Sequence, residues 1–149
     1  MTLRLSVASG SLMLMVAIAA AAVAQTDPIA ARRSIENASG DAQKLGAAMS
    51  KGDVPFELAK GKAVFSTFAD AAAKMPHLFP ENSKAGGETA AAPKIWEDTA
   101  DFAARWQAFG AEAKAAADET RDLASFRRAF SRIGESCASC HDLYRVKKS

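Results

Sequence analysis

Leu123, Phe126, Phe130, Ile133, Cys137, Cys140 and Tyr144 follow one another at intervals of three or four residues, the spacing of one face of an α-helix. Such a stripe is stable only when buried against other elements, so the segment predicts a helix packed on a core. Both cysteines of the chain occupy apolar positions in its final half. They belong to Cys137-Ala138-Ser139-Cys140-His141, and C-x-x-C-H is the spacing that attaches haem covalently. Two thiols three residues apart lie on one side of a helical turn and can each add to a haem vinyl group, while the next residue brings an imidazole to the iron. Cys137 and Cys140 are the candidate attachment points and His141 the candidate metal ligand. Because the cysteines share the buried face, the haem is expected inside the fold and not on its surface.

Other chemistries fit less well. A thioredoxin-like dithiol needs a strand-helix-strand context, and strand signals are almost absent from this chain. A zinc site would have to recruit His77, the only other histidine, which has no ligand pair beside it. A Cys137–Cys140 disulfide requires that oxidation precede haem attachment.

The N-terminus bears on the compartment. Arg4 is followed by an apolar run from Leu12 to Ala22, and Ala22-Val23-Ala24 precedes Gln25, the pattern of a cleaved secretory leader. The run is short for a membrane span and has no basic flank after it. The expectation is a leader over 1–24 and one domain over 25–149, in a bacterial periplasm. Without Arg4 the chain carries 18 basic and 17 acidic residues, a net charge of +1, so no nucleic acid or other polyanion is implied as a partner. The remaining length suits one core, and a composition rich in alanine and poor in glycine and proline favours helix.

Three further stripes predict the rest of the fold. Ile29, Ile35, Ala38, Ala42, Leu45 and Met49 mark a first helix that crosses Ser39-Gly40 and ends near Gly52-Asp53. Leu58, Gly61, Phe65, Phe68, Ala72 and Met75 mark a second, with Pro55 at its first turn and its end before Pro76. Phe102, Trp106, Phe109, Ala113 and Ala116 mark a third, starting near Asp98 or Thr99. Residues 76–93 lack periodicity and read as a long connection, whereas short turns join the first helix to the second and the third to the fourth. The expected fold is all-α, an antiparallel up-down four-helix bundle with covalently bound haem c.

The run Cys137-Ala138-Ser139-Cys140-His141-Asp142-Leu143-Tyr144-Arg145-Val146-Lys147-Lys148 resembles the last helix of the class II c-type cytochromes, the family of cytochrome c′ and the cytochromes c-556. Pro93-Lys94-Ile95-Trp96 is similar to that family's lead-in to the third helix, and the resemblance spans essentially all of the chain after the leader. It implies one haem c attached near the C-terminus, unlike class I cytochromes c. It also implies an arginine early in the first helix and, four residues later, the residue that faces the sixth coordination position of the iron. These fall on Arg32 and Glu36. The low-spin branch has methionine at the second position and many high-spin members a bulky apolar residue; Glu36 is neither. A one-residue slip would put Ile35 or Asn37 there.

Glu36 reads in two ways: an exposed helix charge paired with Arg32 or Arg33, or a carboxylate beside the distal cavity. Arg145 and Arg32 are candidates for the haem propionates, and Arg145 equally suits the negative pole of the last helix. Met49 reads as core and His77 as surface. Lys147 and Lys148 suit an acidic redox partner. With no nucleophile-base constellation in view, the chain does not read as an enzyme. The expected function is single-electron transfer with periplasmic redox partners; the alternative is a five-coordinate binding protein for nitric oxide or carbon monoxide. Monomer and homodimer are both compatible with the sequence.

Overall fold

The computed structural model describes residues 27–146. The predicted leader, Lys147 and Lys148 lie outside the described residues. Four long helices form an up-down bundle, and local chemistry accounts for most of their ends. Helix α1 spans Pro28–Lys51: the Asp27 carboxylate accepts the Ile29 N–H (2.9 Å), proline opens the helix, and Gly52 closes it in the left-handed region (φ 87°). Ser39-Gly40 leaves it unbroken, since one interior glycine costs a helix only about 1 kcal/mol.

Helix α2 spans Leu58–Lys74, stopping before Pro76 and starting three residues after Pro55, which therefore lies outside its first turn. Helix α3 spans Thr99–Glu119, with the Asp98 carboxylate accepting the Asp101 N–H. Helix α4 spans Leu123–Tyr144 and opens on a reciprocal cap: Asp122 accepts the Ser125 N–H (2.7 Å) while the Ser125 hydroxyl accepts the Asp122 N–H (3.0 Å).

Apolar burial divides the bundle lengthwise. Met49, Val64, Phe65, Phe68, Phe126 and Ile133 form the main core in one half. A smaller cluster about Ile95, Phe102 and Tyr144 occupies the other, with Phe79, Trp96 and Trp106 packed on it. Helices α1 and α4 run antiparallel. Gly46 abuts the Phe130 ring, and the Arg127 guanidinium donates to the Ser50 carbonyl (2.7 Å) where the C-terminal half of α1 meets the N-terminal half of α4. At their opposite ends the two helices part around a cavity.

The connection after α2 is more ordered than its composition suggests. It contains 3-10 turns at Met75–Leu78 and Glu81–Ser83 and a helical turn at Lys94–Glu97. It then lies against the end of α4, where the Ala92 N–H donates to the Tyr144 carbonyl (3.0 Å) and the Val146 N–H to the Ala90 carbonyl (2.9 Å). Arg32 of α1, 5% exposed, holds it in place. Its guanidinium donates to the carbonyls of Leu78 (3.2 Å) and Ser83 (3.1 Å) and the hydroxyls of Ser83 (3.2 Å) and Thr89 (3.3 Å), and it stacks on Phe79 at 4.5 Å. Four matched acceptors make the buried charge tolerable.

Two glycines of α1 test this packing. A Cβ on Gly46 would lie 2.3 Å from the Phe130 ring, itself stacked on Phe126 at 5.5 Å, whereas a Cβ on Gly40 would meet nothing within 4 Å. Gly46→Ala should cost about 1–3 kcal/mol through overpacking. Gly40→Ala should gain up to about 1 kcal/mol through helix propensity. Thermal unfolding should move the two melting temperatures in opposite directions; a shared direction would contradict the α1–α4 contact.

Candidate haem site

The cavity measures about 740 Å³, within the roughly 300–1,000 Å³ typical of ligand and cofactor pockets. Cys137, Cys140 and His141 line it from α4, Ile29, Arg32 and Glu36 from α1, and Phe102, Trp106 and Phe109 from α3. The two thiols bridge the apolar halves of the bundle, since Cys137 packs against the main core and Cys140 against the smaller cluster. This follows from the α4 stripe, which runs from Phe126 and Ile133 into the cysteine pair without leaving the buried face.

Burial sets the state of the thiols. It pushes Cys137 up to about 11, with the charges of Cys140, Glu36 and Glu112 adding to the shift. Burial also raises Cys140; Arg105 opposes the rise, while Asp101 and Glu36 reinforce it. Both thiols are therefore protonated at neutral pH, which is the behaviour of an apolar wall and not of a redox-active dithiol. His77 is exposed on the 3-10 turn after α2 and does not line the cavity.

The remaining predicted residues separate into distinct roles. Arg145 caps the end of α4 and lines the cavity. Arg32 also lines it, but four of its hydrogen bonds go to the connection. Glu36 makes neither expected ion pair, because Arg33 pairs with Glu88 of the connection (2.8 Å) and Arg32 is held by its four acceptors. Asn37 lines the cavity beside Glu36 and Ile35 does not. Met49 is fully buried in the main core, away from the cavity.

One feature of the wall escapes the sequence reading. The Tyr144 hydroxyl and the Arg105 Nε both donate to Oδ2 of Asp101, at 2.5 and 2.6 Å. These bonds fasten the last turn of α4, three residues beyond His141, to the first turn of α3. The i,i+4 spacing of Asp101 and Arg105 was the available signal, and the third partner is remote in sequence. Burial, reinforced by the bond to Asp101, pushes the Tyr144 phenol up to about 12, and the bonds from Tyr144 and Arg105 hold the Asp101 carboxyl below its usual range.

A dithiol-imidazole wall facing a large cavity inside a helical bundle defines a haem protein of the c type. The chain belongs to the cytochrome c′ family, whose model matches residues 27–145. It is 45% identical over 128 residues to a cytochrome c′ of Rhodopseudomonas palustris, covering 86% of this chain and 88% of that one. To a cytochrome c-556 of Agrobacterium fabrum it is 36% identical over 137 residues, covering 91% and 92%. The solved structure of a Rhodopseudomonas palustris cytochrome c′ superposes with a TM-score of 0.80 at 44% identity, covering 84% of this chain and all of that one.

The family's cofactor is covalent haem c, and the residues present suit it. The cavity has the required size, two unbridged thiols stand on one wall, and Trp106, which lines the cavity, carries a buried Nε1 donor with no partner among the described residues.

Tyr144 is the only tyrosine of the chain, so a near-ultraviolet difference titration reports it alone. The phenolate should appear with a midpoint of about 12, and Asp101→Asn should bring that midpoint down by removing the facing charge. Because the unfolded chain loses this proton first, stability should fall as pH rises from the free-phenol value of about 10 towards 12. A midpoint that ignores Asp101→Asn would rule out the bond.

Proposed function

We propose that the protein is a periplasmic mono-haem cytochrome that carries single electrons, exported by a leader over 1–24 and folded as one domain over 25–149. The cavity wall built by Cys137, Cys140 and His141 carries this reading. Bound haem supplies the one-electron ferric/ferrous couple. Cys137 and Cys140 would hold it through thioether bonds, and the His141 imidazole would supply the protein's nitrogen donor to the iron. The apolar clusters against which Cys137 and Cys140 pack would limit reorganisation when the charge changes. Arg145 is the cation best placed to meet a propionate, because its side chain lines the cavity while Arg32 is bound to the connection.

A second reading is favoured by the wall across from α4. The lining residues of α1 include no methionine, histidine or lysine, and the 45%-identical relative is named a cytochrome c′. An iron left five-coordinate in the ferrous state would bind nitric oxide or carbon monoxide. Absorption spectra of the purified protein, ferric and ferrous, with and without carbon monoxide, separate the two. A ferrous spectrum that ignores carbon monoxide supports electron transfer, and one that responds supports gas binding. Cys137→Ala combined with Cys140→Ala should abolish acid-resistant haem, and His141→Ala should leave haem attached with an altered spectrum. Haem that survives acid extraction in the double variant would sink the attachment.

A further inference from the structure

We propose that Arg105 of α3 holds a haem propionate, and that Asp101 and Tyr144 fix its guanidinium for that task. The proposal rests on the haem reading above and adds a second carboxylate contact, on a different helix from Arg145.

A haem fixed to α4 through its vinyl groups brings two carboxylates into the bundle, and an anion at a partly apolar site needs a matched cation. Four arginines and no lysine line the cavity. Arg32 donates through both Nη1 and Nη2 to the connection, and Arg33 pairs through Nη2 with Glu88 at 2.8 Å. Arg145 and Arg105 are left, one for each carboxylate.

Arg105 is held in place by its neighbours. Its Nε donates to Oδ2 of Asp101 at 2.6 Å, and the same oxygen accepts the Tyr144 hydroxyl. Asp101 stands one turn earlier on α3, and Tyr144, 4% exposed, is the last residue of α4. The guanidinium is thus tied through Nε to both helices, whereas Nη1 and Nη2 make no hydrogen bond among the described residues. Those two nitrogens are the remaining edge of the fork, which meets a carboxylate in two parallel bonds. Arg105 lines the cavity and Asp101 does not, so the carboxylate that holds the guanidinium backs it without competing for the ligand. Cys140 packs on the cluster that contains Phe102 and Tyr144, which places one attachment point and the clamp at the same end of the bundle. A long side chain fixed in advance loses little further freedom when its ligand arrives.

The clamp bears on the redox couple. Uptake of one electron from a redox partner lowers the charge on the iron by one; no bond forms or breaks, and the carboxylate and Arg105 keep their charges. A carboxylate deprived of its cation favours the more positive ferric state, so the potential falls. For one electron, a threefold gain in ferric preference is about 28 mV.

The test is potentiometric reduction of the purified haem-loaded protein, with redox-difference infrared spectra of the carboxylate region. Arg105→Gln should lower the potential by at least about 28 mV, threefold in ferric preference, and shift a carboxylate band. Tyr144→Phe removes the tie to α4 without changing any charge and should lower the potential by less; an unchanged value would overturn the positioning role. Arg33→Gln removes an equal charge from the cavity wall and should have the smaller effect. A wild-type potential in Arg105→Gln would overturn the proposal, as would an equal fall in Arg33→Gln, the mark of a field without a contact. Excess acetate separates the haem carboxylate from a free one: a wild-type potential that acetate leaves in place supports the propionate, and one that acetate moves only while Arg105 is present would show a fork open to solutes and overturn it. Wild-type protein without covalent haem on a denaturing gel would instead show that the haem reading had failed. The Arg105 and Asp101 side chains are 37% and 42% exposed, so Arg105→Gln removes no core contact. Arg105→Lys, which keeps the charge and loses the fork, should give an intermediate potential; a value as low as that of Arg105→Gln would also count against the cation.

Discussion

The buried face of α4 changes character along its length, and the rest of the bundle is arranged around that change. Phe126, Ala129 and Ile133 meet the other helices directly, each no more than 1% exposed. Cys137 and Cys140 continue the same face but meet a cavity. A four-helix bundle with apolar stripes on every member would close along its whole length if nothing prevented it. The cavity end is therefore the place where the chain needs contacts that keep α1 and α4 apart while holding them in register. Two polar devices do this: Arg32 joins α1 to the connection, and Asp101 joins α3 to the last turn of α4 through Tyr144 and Arg105. Both bring charge to partly buried ground, which is economical only where hydrogen bonds are matched.

These devices also mark the limit of what the sequence made legible. Helix identity and most ends were readable because the signals are local: Asp98 before Thr99, Gly52 after Lys51 and Pro76 after Lys74 act within a few residues of where they stand. The position of the cysteines on the core face was readable from spacing alone. Partners distant in sequence were not. Arg32 reaches acceptors 46 to 57 residues away, and Tyr144 finds Asp101 across 43. The expected pairing of Glu36 with Arg32 or Arg33 failed for the same reason, because the connection supplies Glu88 and a set of backbone carbonyls that compete for both guanidinium groups. A stretch without periodicity was read as a loop, yet one buried arginine and two backbone bonds to the end of α4 order it.

The competition for Arg32 and Arg33 has a chemical consequence at the cavity. Glu36 loses its i−3 and i−4 partners to a remote segment, and it contributes to the upward push on both cavity thiols. Electrostatics here are set by the fold of the connection as much as by the helix that carries the glutamate. Shortening or loosening residues 76–93 would return the two arginines to α1 and allow them to pair with Glu36 at helical spacing. The connection thus couples to the cavity: it fixes which cations of α1 are left to face the cysteine wall.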